Sequence, residues 1–205
     1  MNEHSLIYIK SMAKKINEDK IERIRESAIE LIYEKGYGGA SIAAIATKAD
    51  VSAGYLYRFY NSKYELVSDL LNTLLSEIIQ EIDLMLQDES SIIQISERLV
   101  DFLFEKAIEK PYHIKFLYSL ITEYKFKLGD DEKRKILSLS KQMLELGRKS
   151  NTISEIYDEE EVFLMMVIYP IEFISLRFKK LFSNKKLSNK DKERVHTLCI
   201  NALKN

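Results

Sequence analysis

The 205-residue chain contains one cysteine, two prolines, six glycines and no tryptophan. A lone Cys199 cannot form an internal disulfide, so a disulfide-stapled fold is excluded and a reducing compartment is expected. The shortage of proline and glycine, set against 46% apolar and 31% charged residues, argues against a turn-rich β architecture and for long helices. No apolar run approaches the ~20 residues of a membrane-spanning helix, the longest being residues 162–171. The N-terminus also lacks the apolar core and cleavage site of a signal peptide. A cytoplasmic protein without membrane contact is the expectation. Excess charge of one sign is missing too, since 31 basic against 32 acidic residues leave a net charge of −1. That excludes a polycation holding nucleic acid by bulk electrostatics, and any such contact must be local.

Residues 41–66 carry most of the information that is present. Ser41 is a natural N-cap, and Ile42, Ile45, Ala46 and Ala49 follow at the spacing of one apolar stripe on a short helix ending near Lys48. Asp50 and Val51 break that period, and Asp tolerates the left-handed backbone of a tight turn better than most non-glycine residues. Ser52 can cap a second helix with Leu56 and Phe59 on its buried side and Val51 plugging the corner. Ala46, at the crossing, lets the two backbones come close. Gly54, near the start of the second helix, costs about 1 kcal/mol relative to Ala, so a compensating role is expected in close approach of the backbone to a phosphate or groove wall. Upstream, Ile21, Ile24, Ala28, Leu31 and Ile32 share one face of an opening helix that Gly36 ends. Downstream, Asn61 can cap a long helix on which Leu66, Leu70, Leu74, Ile78 and Ile82 recur. This is a helix-turn-helix framed by a helix on either side, and Lys48, Arg58 and Lys63 against Asp50 give residues 41–64 a charge of +2.

Within the motif, Tyr57, Arg58 and Lys63 are the phosphate-contact candidates, as long polar side chains flanking the second helix. Ala53, Gly54 and Tyr55 would face base edges or a thymine methyl, although Tyr55 can equally pack on sugar. Ser41 and Ser52 complete the DNA-binding set. Tyr57, Phe59 and Tyr60 have an alternative place in the core of a small head, and Phe59 is expected there.

Residues 20–66 resemble the DNA-binding domain of the tetracycline-repressor (TetR) family of bacterial transcriptional regulators. The likeness rests on Glu34-Lys35-Gly36-Tyr37, Ser41-Ile42, Ile45-Ala46, Ala49, Val51-Ser52, Gly54, Leu56-Tyr57, Ser62-Lys63 and Glu65-Leu66, in order and without a gap. Two positions depart from it: Asp50 stands where the family usually has Gly, and Tyr55 where a small residue such as Thr is usual, which suggests an altered base preference. The resemblance implies an all-α fold, with a three-helix head followed by a larger helical body. It further implies a homodimer on a pseudo-palindromic double-stranded DNA operator, most often a repressor, whose last two helices form a four-helix dimer bundle and whose body answers to a small-molecule effector.

The expected organisation is an N-terminal extension over 1–19, the DNA-binding head over 20–66, and a ligand-binding and dimerisation body over 67–205. Lys10, Lys14 and Lys15, with Leu6, Ile7 and Ile9, make the extension either a basic arm for a minor groove or a frayed terminus. Body helices are expected over 92–109, over 112–127 with Pro111 in the first turn, over 132–149 behind the acidic Asp130-Asp131 pair, and over 158–180 and 188–204. The 158–180 helix is apolar on nearly every face over 162–171 and needs cover from more than one side, which a second subunit would supply, the alternative being a central core helix in a monomer. Pro170 should kink it.

Phe102, Tyr112, His113, Phe116, Met165, Met166, Tyr169 and Phe173 are the residues that could line an effector cavity in such a body, against the plainer role of core. No catalytic constellation emerges. His196 and Cys199 could be half a metal site without a second pair, Glu109 and His113 are wrongly spaced for a di-iron bundle, and neither a phosphate loop nor a nucleophile elbow is present. The expected function is therefore a non-enzymatic, ligand-responsive DNA-binding regulator without cofactor or metal. The rival is a DNA-binding protein of the same fold that recruits a protein partner without small-molecule control.

Overall fold

The computed structural model describes residues 3–88, 91–121, 128–181 and 184–204, with side chains from Glu18 onward, Ile121 excepted. Every regular element among them is helical. None of these helices is long and apolar enough to cross a membrane. The chain divides into two compact units, Met1–Leu70 and Leu71–Asn205.

In the first unit, α1 (Glu3–Gly39) buries Ile24, Ala28, Ile29, Leu31 and Ile32. Gly36 adopts φ 70°, ψ 167°, a conformation that strains any residue with a Cβ, and so ends the regular run before a last turn over 37–39. α2 (Ile42–Lys48) begins where the Ser41 hydroxyl accepts the Ala44 amide at 3.1 Å, and α3 (Ala53–Leu56) where Ser52 does the same for Tyr55 at 3.1 Å. Between them Asp50 takes the expected left-handed conformation, φ 54°. Ile45, Ala46 and Leu56 are buried at the crossing, and the Val51 amide closes the corner on the Ala46 carbonyl at 3.0 Å.

Two expectations for the head need correction. The cap of α4 (Lys63–Asp88) is Ser62, whose hydroxyl accepts the Glu65 amide at 3.1 Å, and not Asn61; Glu65 in turn accepts the Asn61 amide at 2.8 Å. Phe59 is only half-buried, while Tyr60 is the aromatic residue sunk into the core, 7% exposed. Past Leu56 the chain leaves the helix in a series of turns, so helical spacing no longer assigns the inward side. On α4, Leu66, Leu70, Leu74, Ile78 and Ile82 are all buried.

The second unit takes the rest of α4, followed by α5 (Ile92–Glu109), α6 (Pro111–Ile121) and α7 (Asp130–Lys149). Pro111 opens α6 as expected, and residues 122–127 of the expected helix lie outside the described residues. α7 starts two residues earlier than expected, so that Asp130, Asp131 and Glu132 all sit in its first turn, where the helix dipole favours them.

The expected 158–180 helix runs unbroken over 159–178 but is not α-helical throughout. It is α8 (Glu159–Phe163), a π-helical turn (Leu164–Ile168) and α9 (Tyr169–Phe178), followed after a loop by α10 (Asn189–Ala202). The wider turn ends two residues before Pro170, whose ring and missing N–H disturb the regular ladder over the preceding turn. α5 is the centre of the packing, against α6, α9, α10 and the π turn, and α7 packs on α8. Arg177 on α9 grips Asp191 on α10 with both guanidinium ends, at 2.8 and 3.3 Å.

Candidate nucleic-acid interface

The face built by α2, the turn and α3 presents the residues expected to meet DNA. Ser41, Ser52, Gly54, Tyr57 and Arg58 are exposed, while Ala53, Tyr55 and Lys63 are half-buried. Tyr57 is 54% exposed, so its ring as well as its hydroxyl faces solvent and it takes no part in the core. A Cβ added to Gly54 would meet nothing within 4 Å. Nothing among the described residues therefore accounts for a glycine there.

Tyr55 stands in a small cluster. Its ring tilts at 59° against Phe59, centroids 5.2 Å apart, with Lys20 Nζ 5.3 Å and the Arg58 guanidinium 5.9 Å from its centroid. These two cations concentrate the positive charge of the head beside the third helix. Sequence spacing does not single out Lys20, because its approach to Tyr55 is a tertiary contact between α1 and α3. Other cations of the head are engaged with acids: Arg23 with Asp50 at 3.3 Å and Lys48 with Glu30 at 3.0 Å.

Lys63 is committed differently from what its position suggested. Its ammonium donates to the Tyr37 carbonyl and, at 2.7 Å, to the Ala40 carbonyl, and it lies 4.2 Å from the Tyr37 ring centroid. It thus ties the start of α4 to the end of α1, with one of its three N–H donors left over. A second tie is the Tyr60 hydroxyl, which donates to Asp69 at 2.7 Å; Arg25 donates to the same carboxylate oxygen at 3.4 Å. Burial, reinforced by the Asp69 hydrogen bond and only partly offset by Arg25, pushes the Tyr60 phenol up to about 12. The helices of the head are held by packing and by these two ties.

In the body, the eight effector candidates do not surround one described cavity. Phe116, Met166 and His113 are buried; Phe102, Met165, Tyr169 and Phe173 are half-buried; Tyr112 is exposed. Phe173 stacks on Phe104 with centroids 6.2 Å apart, and Lys115 lies over the rings of both Tyr112 and Phe178. His196 places Nδ1 3.2 Å from the Ser96 hydroxyl and joins a polar groove of about 400 Å³ between α5 and α10. Cys199 is buried, and burial pushes its thiol up to about 12. Among the described residues no group of three or more His, Cys, Asp or Glu is placed to hold a metal ion.

The pattern described as bacterial regulatory proteins, tetR family, matches residues 24–70. YvdT, an uncharacterized HTH-type transcriptional regulator of Bacillus subtilis (strain 168), is 33% identical over 85 residues, 42% of this chain and 44% of YvdT. The match to that relative thus spans less than half its length. YhgD, another uncharacterized HTH-type regulator of the same organism, is 26% identical over 154 residues, 74% of this chain and 81% of YhgD. The crystal structure of the Bacillus subtilis transcriptional regulator FadR in complex with stearoyl-CoA shares the fold with a TM-score of 0.72 at 16% identity, covering 87% of this chain and 97% of that one. Residues 24–70 thus match the tetR family of bacterial regulatory proteins, and the chain shares the fold of a solved bacterial transcriptional regulator.

Proposed function

We propose that the chain is a DNA-binding transcriptional regulator, a repressor that grips a pseudo-palindromic operator as a homodimer in the cytoplasm and lets go when a small apolar effector enters the body. The observation that carries the reading is the exposed α3 turn, with an unobstructed Gly54 backbone and with Lys20 and Arg58 flanking Tyr55. Ala53, Gly54 and Tyr55 read base edges; Ser41, Ser52, Tyr57, Arg58 and the remaining donor of Lys63 meet phosphates; Lys20 joins them. An effector that fits the body better when the two heads are wrongly spaced would draw the population away from the DNA-competent form. Exposed apolar residues on the last helices, Leu164 at 44% and Leu198 at 51%, suit a seam between two copies. The reading assigns the chain no catalytic step, cofactor or metal. FadR, which shares the fold, crystallised with stearoyl-CoA, a ligand whose acyl chain is apolar, and this supports an effector with an apolar part.

A phosphate role for Arg58 predicts that Arg58→Ala weakens binding to all duplexes alike and flattens the salt dependence by about one unit per half-site. Fluorescence anisotropy across a salt series measures both. A changed base preference with an unchanged salt slope contradicts it.

The second reading, DNA binding with recruitment of a protein and no effector, is favoured by the apolar packing of α4, α7 and the π turn, where about 10 Å³ is open, the larger groove of about 300 Å³ between α4 and α7 being lined mostly by exposed polar residues. In that case no small molecule alters operator affinity.

A further inference from the structure

Positive charge outside the head is concentrated between α9 and α10. Residues 179–190 hold Lys179, Lys180, Lys185, Lys186 and Lys190 and no acid, in a chain whose net charge is −1. All five lysines are exposed. The next residue, Asp191, is taken by Arg177 at 2.8 Å. Among the described residues no carboxylate pairs with Lys179, Lys180, Lys186 or Lys190, and Lys192 just beyond them is already engaged by Asp101 at 3.0 Å. Lys179 lies 5.1 Å from the Tyr118 ring centroid, and Lys115 of α6 lies 4.7 Å from that of Phe178, contacts that hold a cation in place without neutralising it. The basic run on α7 is different. There Lys133 pairs with Asp130, Arg134 with Asp131 and Lys141 with Glu145.

Two of these lysines stand where helix physics disfavours them. Lys180 ends α9 in the left-handed conformation, φ 55°, its amide donating to the Arg177 carbonyl at 3.1 Å and the Leu181 amide to the Leu176 carbonyl at 3.4 Å. Glycine or asparagine ordinarily takes that position, and the other non-glycine residues in that conformation are the tolerant Asp50 and Asn151. Lys190 lies in the first turn of α10, whose dipole repels a cation. We propose that residues 179–190 are a second contact for DNA, holding the phosphate backbone of a duplex by charge and without reading its sequence. The choice of DNA rests on the DNA-binding reading above. An anionic membrane would need an apolar face to insert beside the charge. Among the described residues of the segment no helix lies between Leu181 and Ser188, and Leu181, 62% exposed, is the one large exposed apolar side chain. A phosphate backbone asks only for exposed cations.

Full-length protein is titrated onto a short random-sequence duplex across a salt series and followed by fluorescence anisotropy. The loop variant combines Lys179→Gln, Lys186→Gln and Lys190→Gln with Lys180→Asn, the asparagine keeping the left-handed turn. A control variant combines Lys133→Gln, Arg134→Gln, Lys135→Gln and Lys141→Gln, which removes the same charge from α7. Circular dichroism confirms that both are folded. Each phosphate contact contributes ~0.9 to the slope of log affinity against log salt, so the loop variant should flatten that slope by about three to four units per chain and the control by less than about one. A loop variant within about one unit of the native slope, or a control that loses as much as the loop variant, would overturn the assignment. So would binding to vesicles of phosphatidylcholine with phosphatidylglycerol that the loop variant loses while its duplex binding stays intact. The head is tested apart, with Tyr55→Ala and Arg58→Ala together on the same duplex. If that pair changes nothing and the loop variant abolishes binding, the loop assignment stands and the DNA-binding role of the head falls. If the head pair abolishes binding and the loop variant changes nothing, the reverse holds.

Discussion

A Cβ on Gly54 would meet no described atom within 4 Å, and yet the glycine occupies the first turn of α3, where Ala would be favoured. On the proposed reading its cost is offset outside the chain, by the backbone of α3 lying against DNA. Gly54→Ala should therefore stabilise the protein by up to about 1 kcal/mol in urea unfolding while lowering operator affinity. A stabilised variant with full affinity would leave the glycine unexplained. Tyr60 makes the opposite case, an internal residue that looked like one of three interchangeable aromatics in the sequence. Its folded phenol lies at about 12, above the ordinary value of 10.0, so the neutral form stabilises the head fully below pH 10 and that contribution is lost as pH rises towards 12. Tyr60→Phe should cost about 1 kcal/mol at neutral pH and should reduce the loss of stability between pH 10 and 12, followed by circular dichroism. Equal alkaline sensitivity in both proteins would show that Asp69 does not hold the hydroxyl.

The helices were legible where one residue decides. Ser41 and Ser52 each cap a helix through their own side chains, Pro111 opens α6, and Asp50 takes the left-handed turn. They were illegible where the outcome depends on contacts remote in sequence. Lys63 reads as an exposed cation beside the motif until the carbonyls of Tyr37 and Ala40 are brought against it. The aromatic run after Leu56 gives no period to follow once the chain turns, which is why Phe59 and Tyr60 exchange roles. Pro170 marks a disturbance in the helix, but neither its position nor its chemistry distinguishes a kink from the π turn that forms. The ends of α9 and α10 show the same limit. Nothing in the sequence pairs Arg177 with Asp191, yet both are largely buried and bidentate in the fold. Burial alone would raise the Asp191 carboxyl, but the Ser188 hydroxyl and the Arg177 guanidinium together hold it below the ordinary 3.8. Its contribution is therefore complete above that value and is lost as pH falls through the lowered one. Asp191→Asn should cost about 3 kcal/mol at pH 7, a difference that narrows on acidification in parallel urea titrations. A constant difference down to pH 2 would contradict the ion pair.

For the whole molecule, a net charge of −1 means that affinity for DNA cannot come from the chain at large. On the proposed reading it would come from a small basic face used twice, with Lys20 and Arg58 beside Tyr55 in each head of a dimer. Two copies joined along α8 to α10 would double that face and impose a two-fold symmetric target, with half-sites about one helical turn of DNA or a multiple of it apart. Both requirements are read together by footprinting the protein on the duplex upstream of its own gene, with the stoichiometry of the complex taken by sedimentation. The account predicts protection of one pseudo-palindrome by two chains or a multiple of two, abolished by Tyr55→Ala combined with Arg58→Ala in a protein that remains folded. Uniform protection without a preferred site, a single chain per duplex, or a footprint unaffected by the double substitution would contradict it.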